Sequence, residues 1–378
     1  MAVRALAHVN LAAIERNVKL LRRTVGPRTE VCAVVKADAY GHGAVAVSRA
    51  ALGAGAGSLA VATANEAMEL RAAGIDAPLL ILGAISSEEL PAAVASGGTI
   101  VVWDTRFVEE LRVAALRAGR PLAVHVKLDT GLGRLGTRSL SEAIDVVQAV
   151  RAAAPVLALT GAMTHFATAD GDLEFAAAQL QRFAPLVERL RALADGERLR
   201  FHAANSAGAL RLPGARLDMV RAGIAIYGAD PMNRDPAEHA LEPALALRSY
   251  VAAVKQIAPG ESTGYGRHFI ADRQTHIATI PIGYGDGLPR ALVNNCDVLI
   301  GGRRYPLRGM VSMDNITVDV GPSAAVAVGE LVTLIGLDGP ERQTAEQLAQ
   351  RLGTISYEVL CLISRRVPRS YHRDGEPA

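Results

Sequence analysis

The sequence has 378 residues, 50% hydrophobic and 21% charged, a globular composition that excludes a mainly disordered chain. Forty basic and thirty-eight acidic residues leave a net charge of +2, so charge gives no case for nucleic acid or an anionic membrane as partner. No uninterrupted apolar stretch is long enough to cross a bilayer, and Arg4, His8, Asn10 and Arg16 break up the N-terminus where a signal peptide would be apolar. A soluble, cytoplasmic enzyme or binding protein is expected.

In chain order, Asn10 stands at an N-cap position, followed by Leu11, Ile14, Val18 and Leu21 at helical spacing. Short apolar runs then predict strands at Val31–Val35, Leu59–Ala62, Leu79–Leu82, Thr99–Val102, Leu122–Leu128, Leu157–Met163, Leu199–Ala203 and Met219–Arg221. Most are separated by Ala-, Leu- and Arg-rich segments of one helix's length. Eight strands alternating with helices suggest a (β/α)8 barrel. An open doubly wound sheet is the alternative, but Ala37–Gly43 lacks its Gly-rich fingerprint. After Glu242-Pro243 the runs become shorter and β-prone: Tyr250–Ile257, Thr275–Ile280, Asp297–Ile300, Asn315–Val320 and Leu331–Ile335. Only Ala345–Leu352 reads clearly as a helix there, and the polar tail His372–Ala378 reads as frayed. The expected division is a barrel over residues 1–241 and a mostly-β domain over 242–378.

Chemistry in a barrel collects at the C-terminal strand ends. Lys36 follows one such strand, and it is one of only four lysines among forty basic residues. Partial desolvation there favours a neutral amine able to form a Schiff base; a strand-end lysine reaching solvent is the other reading. Alternation puts His125, Lys127 and Asp129 on one face of a strand, so an inward Lys127 needs an ion-pair partner or neutralisation. The loop Asp129–Gly136 surrounds Arg134 with three glycines, which suits a grip on carboxylate or phosphate and equally a tight turn. His165 follows another strand end and, seen alone, is as well explained by structure. Arg221 and the glycine after it, with Ser206 on the neighbouring rim, are placed like the phosphate site of many barrels. Tyr265 lies between two glycines and is either a general base or a packed turn tyrosine. Three isolated cysteines and the absence of a His-x-x-x-His pair give no metal centre or disulfide scaffold.

Taken together, these segments resemble alanine racemase, a family of pyridoxal 5′-phosphate enzymes. The resemblance runs through Val34–Gly43, Lys127–Gly136, His202–Ser206, Arg221–Ile224, Gly264–Gly266, Pro281–Gly287, Ser312–Asp314, Thr354–Glu358 and Arg366–Arg369, almost the whole chain. It implies a homodimer with active sites shared between subunits, interconverting L- and D-alanine and supplying D-alanine for peptidoglycan. Lys36 would hold the cofactor as an internal aldimine and act as one base. Tyr265 from the partner subunit would be the other base. Tyr40, Ser206, Gly223, Ile224 and Tyr357 would surround the phosphate, and Arg221 would face the pyridine nitrogen. His165 would link Arg221 to the tyrosine, Arg134 and the Met313 backbone would hold substrate carboxylate, and Tyr284 would narrow the entrance. Lys127 matches a lysine often carbamylated in the family. Two positions depart from the pattern: Met310, where an entrance arginine is usual, and Ser356, where asparagine is frequent. A broader or serine-directed racemase and a non-catalytic cofactor-binding protein are the alternatives.

Overall fold

A computed structural model describes residues 4–193, 198–323 and 325–378. The chain divides into two compact units. One comprises Ile14–Ala39 and Ala44–Ile226; the other comprises the segment ending at Ala13, Tyr40–Gly43 and Tyr227–Ala378.

β1 (Leu6–Asn10) runs directly into α1 (Leu11–Val25), and Asn10 Oδ1 accepts the Ala12 N–H at 3.1 Å, as an N-cap side chain should. The barrel strands follow: β2 (Glu30–Val34), β3 (Ser58–Val61), β4 (Leu79–Ile81), β5 (Thr99–Val102), β6 (Leu122–Lys127), β7 (Leu157–Met163), β8 (Arg200–His202) and β9 (Met219–Ala222). They form one parallel sheet in the order β8-β7-β6-β5-β4-β3-β2-β9. The ends β8 and β9 meet through Asp218 N–H to Phe201 O (3.1 Å) and Arg221 N–H to Ala204 O (2.9 Å), which nearly closes the barrel. Between strands lie α2 (Lys36–Gly41), α3 (Ala44–Gly53), α4 (Ala64–Ala72), α5 (Leu90–Ser96), α6 (Thr105–Ala118), α7 (Leu140–Ala152), α8 (Leu173–Leu193) and α9 (Ser206–Arg211). Covered on both faces, the strands read as continuous apolar runs, and that is why the sequence located them to within a residue or so.

In the second unit, β10 (Leu245–Tyr250), β11 (Ala253–Ile257), β12 (Ser262–Thr263), β13 (Phe269–Ile270), β14 (Thr275–Ile280), β15 (Asp297–Ile300), β16 (Arg303–Pro306), β17 (Ile316–Gly321), β18 (Leu331–Asp338) and β19 (Glu341–Gln343) precede α10 (Ala345–Leu352) and α11 (Ser356–Cys361). The chain ends in β20 (Arg369–Arg373) and β21 (Glu376–Pro377). The main sheet runs β16-β15-β18-β10-β1-β20-β21. Several expectations differ here. The run expected over Tyr250–Ile257 is divided, Tyr250 closing β10 and Ala253–Ile257 forming β11, and α11 adds a short second helix. Leu6–Asn10, placed by sequence in the barrel domain and not marked as a strand, pairs antiparallel with β10 and parallel with β20, because a five-residue pairing with segments more than 200 residues away leaves no local pattern to read. The tail expected to fray is a hairpin, His372 opposite Pro377, whose half-exposed polar residues carry no apolar signal. Among the described residues, no helix is long and apolar enough to cross a membrane.

Candidate active site

Val35 N–H bonds Ala60 O at 2.8 Å, so the barrel ladder holds the chain up to the residue before Lys36. The turn that follows is left-handed. Ala37, Asp38, Ala39 and Tyr40 all have φ of 52° or 53°, and Gly41 continues at 80°. Each L-residue in this region costs ~1–2 kcal/mol, so the surroundings must impose the conformation. Asp38 Oδ1 accepts the Ala44 N–H (2.8 Å), His42 Nδ1 lies 2.9 Å from Tyr40 O, and Arg369 Nε donates to Gly41 O (2.9 Å). A Cβ at Gly41 would sit 2.5 Å from Leu360 O, which closes that position to other residues.

Lys127 ends β6 with its side chain buried, as alternation predicted. Burial, then the charges of Arg221 and Arg134, lower it to about 8 against the opposing pull of Asp129. The anticipated ion pair is not made: Asp129 accepts the N–H groups of Gly131, Leu132 and Gly133 at 2.9–3.1 Å and the Arg138 Nε at 3.0 Å. This carboxylate therefore folds the glycine loop. At Gly136 (φ 112°) a Cβ would lie 2.9 Å from Asp129 N. Arg134 is exposed on the same loop, and its charge reaches Lys127 and His165.

Arg221, on β9, is buried, and four acceptors hold it. Its Nη1 meets His202 Nδ1 at 2.6 Å; its Nη2 meets Thr164 O (2.9 Å), Ala203 O (3.0 Å) and His165 Nδ1 (3.1 Å). His202 Nε2 lies 2.8 Å from His125 Nδ1. Burial lowers Arg221 to about 10, still a cation at neutral pH. Burial and the nearby arginines push His125 down to about 3 and hold His165 and His202 well below the usual imidazole value. A guanidinium only donates, so His165 and His202 accept through Nδ1 and carry their proton on Nε2. His202 Nε2–H then donates to His125 Nδ1, and one tautomer propagates through the chain. Sequence reasoning assigned neither His125 nor His202 a role, although alternation had already put His125 on the face of Lys127. Arg221 Nε is buried and has no partner, a donor directed at nothing in the protein.

Asn205 Oδ1 accepts Gly208 N–H (2.9 Å) and opens α9 at Ser206. Ser206 Oγ, buried, accepts Gly223 N–H at 2.9 Å and Ala225 N–H at 3.3 Å, which leaves its own proton to donate onward. Gly223 and the buried Ile224 lie on this same segment. One barrel rim thus gathers Lys36, Lys127, Arg134, His165, Ser206, Arg221, Gly223 and Ile224. The charges of Arg221, Arg134, Lys127 and Lys36 all bear on His165. Among the described residues, no group of three His, Cys, Asp or Glu side chains could hold a metal ion.

In the other unit, Tyr265 is 72% exposed on a turn between Gly264 (φ 77°) and Gly266 (φ 68°). It shares a depression of about 370 Å³ with Ser312, Met313 and Asp314. Met313 O accepts the Gly285 N–H (2.9 Å), while the Met313 N–H makes no hydrogen bond among the described residues. Tyr284 is exposed beside this segment, its N–H on Ser312 O (3.0 Å). Tyr40 is buried with its ring 6.0 Å from that of Tyr357. The Pro281–Gly287 motif closes on Asp286, whose carboxylate receives Arg4, Arg366 and the Gly283 N–H. Ser356 is buried, its N–H on Asn233 Oδ1 (3.0 Å).

Residues 9–231 match the family profile described as alanine racemase, N-terminal domain, and residues 244–371 match its C-terminal domain. Alanine racemase 2 of Caldanaerobacter subterraneus subsp. tengcongensis is 42% identical over 97% of this chain and 95% of its own length. Alanine racemase of Desulforamulus reducens is 41% identical over 97% and 98%. The crystal structure of the Bacillus anthracis alanine racemase with bound L-Ala-P is similar at a TM-score of 0.92 and 36% identity, covering 100% of this chain and 97% of that one.

Proposed function

The chain belongs to the alanine racemase family, and on that premise we propose that it interconverts L- and D-alanine with pyridoxal 5′-phosphate bound at the barrel rim. One observation carries the reading: the buried Arg221 guanidinium lies 3.1 Å from His165 Nδ1 and keeps an unpartnered Nε–H, with the charge of Arg134 bearing on the same imidazole, while the nearby Asp129 carboxylate is engaged by its own loop. Such a rim suits a phosphorylated cofactor and a substrate carboxylate. The donors present fit the cofactor's polar groups. Ser206 Oγ has a proton free for phosphate, and the orphaned Arg221 Nε–H suits a pyridine nitrogen. As the resemblance implies, Gly223, Ile224, Tyr40 and Tyr357 would also surround the phosphate.

Pyridoxal phosphate supplies the electron sink that lets an amino acid release its α-proton. Lys36 Nζ moves that proton on one face of Cα, and Tyr265 Oη of the partner subunit serves the other face. Inversion needs both, one removing the proton and one returning it. Arg221 stays a guanidinium and would hydrogen-bond a ring nitrogen without protonating it, which would restrain the sink and limit side reactions. Arg134 and the Met313 N–H hold the substrate carboxylate. Lys127, lowered to about 8, has enough free amine to add carbon dioxide: the Nζ–C bond forms as a proton leaves, and the resulting anion orients Arg134. The enzyme acts as a cytoplasmic homodimer and supplies D-alanine for peptidoglycan.

The test is incubation with pyridoxal phosphate and L-alanine in heavy water, followed by separation of the enantiomers. D-alanine carrying deuterium at Cα is expected. Deuterated L-alanine alone would mean one working base and refute the role of Tyr265. No exchange in a folded, cofactor-loaded sample, with turnover of serine instead, would replace the substrate; no turnover at all would leave a binding protein.

A further inference from the structure

We propose that Glu66 is a positioning residue for Lys36, clamping the first peptide of the left-handed turn so that the lysine amine is aimed correctly. The inference rests on the assignment of Lys36 above and adds a residue from a different barrel segment. Glu66 is the third residue of α4, where a capping box requires only that its carboxylate reach back to the N-cap amide. One oxygen does this: Oε2 accepts Ala62 N–H at 2.7 Å and Thr63 N–H at 3.2 Å. The other leaves its own helix. Oε1 accepts the Ala37 N–H at 2.7 Å, across from β3 to the end of the neighbouring strand β2.

Ala37 N–H belongs to the peptide joining Lys36 to Ala37. A peptide is planar, so this bond restrains the plane that follows the Lys36 Cα, while the ladder bond of Val35 N–H to Ala60 O holds the chain before it; with both sides restrained, the direction of the Lys36 Cβ is set. The turn's later groups are held by Asp38, His42 and Arg369, and the Ala37 N–H is held by Glu66. One carboxylate thus ties two adjacent strand-to-helix connections together at the first residue of the strained segment.

Three variants separate aiming from helix capping. Glu66→Ala removes the clamp and half of the capping box. Thr63→Ala removes only the other half, the Thr63 Oγ1 that accepts Glu66 N–H at 3.2 Å, and keeps the carboxylate. Glu66→Gln keeps one oxygen able to accept Ala37 N–H. In the cofactor-free chain, amide exchange in a peptide spanning residues 36–43 should quicken about 10-fold or more in Glu66→Ala. It should stay at the wild-type rate in Thr63→Ala. In the loaded enzyme, kcat for alanine should fall about 10- to 100-fold in Glu66→Ala with KM little changed, as expected of a misaimed base. Glu66→Gln should recover most of it, and Thr63→Ala should lower the melting temperature without lowering kcat. If Glu66→Ala and Thr63→Ala match in exchange and in kcat, the clamp is refuted. Borohydride reduction of the wild type distinguishes the other failure. Cofactor fixed away from Lys36 would overturn the assignment of the lysine and the proposal with it, whereas cofactor on Lys36 with matching variants would overturn the clamp alone.

Discussion

Replacing His202 tests the buried chain that holds Arg221. In His202→Leu, the Arg221 Nη1 loses its 2.6 Å acceptor and His125 Nδ1 loses its 2.8 Å donor, both inside the barrel. A buried cation stripped of one partner costs ~3–5 kcal/mol, and at ~2–4 °C per kcal/mol the melting temperature falls by roughly 6–20 °C. Asparagine and glutamine divide the effect. An Asn oxygen falls near the position of Nδ1 and keeps the acceptor for Arg221, so His202→Asn should recover all but ~1 kcal/mol. A Gln amide falls near Nε2 and serves His125, so His202→Gln should behave like leucine. The same residue sets an acid limit. Its folded pKa lies below the ordinary 6.5, so under pH 6.5 the unfolded chain takes up a proton that the native state refuses. Stability is therefore complete above that pH and falls beneath it, by ~1.4 kcal/mol per pH unit for each such histidine. His202→Asn should flatten the decline by one histidine's share. Thermal melts of the cofactor-free chain from pH 5 to 8, followed by circular dichroism, read both effects. A leucine variant within ~0.5 kcal/mol of wild type, or glutamine outranking asparagine, would refute the wiring.

Ser206→Ala should weaken pyridoxal phosphate binding by roughly 10- to 100-fold, the worth of a hydrogen bond to a charged group, in a fluorescence titration of the cofactor-free chain. Gly161→Ala should lower the melting temperature by the equivalent of ~1–3 kcal/mol, because the added Cβ would meet Arg200 O at 2.3 Å and His125 Nε2 at 2.8 Å. Mixing Lys36→Ala with Tyr265→Phe chains, each inactive alone, should restore activity as subunits exchange. Heterodimers isolated without activity would count against a shared site.

Much of the barrel was legible because its strands are short apolar runs between helices. Thr99–Val102 and Leu157–Met163 have the same limits by sequence and in the structure. Legibility failed where the signal is a partner and not a pattern. No strand is expected at Leu6–Asn10 from the sequence, and only its register against Arg369 and Arg248 shows the sheet it joins. The turn after Lys36 fails for a related reason. Ala37, Asp38, Ala39 and Tyr40 include no glycine, so local preference opposes a left-handed path. What imposes it comes from elsewhere: the guanidinium of Arg369, 328 residues beyond Gly41, and the carboxylate of Glu66.

The site divides along the same line. Residue type and position at strand ends made Lys36, Lys127, His165, Ser206 and Arg221 candidates, because polar groups ending buried strands stand out, though His165 alone reads by default as structural. Their connections were not readable. Asp129 looked like a counter-ion for Lys127 by alternation, but three loop amides and Arg138 compete for it at 2.9–3.1 Å and prevail. His125 and His202 lie 77 residues apart and meet across β7, since β6 and β8 both pair with that strand. Gly161 on β7 makes the approach possible, having no side chain where the His125 ring must lie. A glycine inside a strand therefore deserves the question of what its missing Cβ admits. Here it admits the first member of a hydrogen-bonded chain that ends at the rim, on His165.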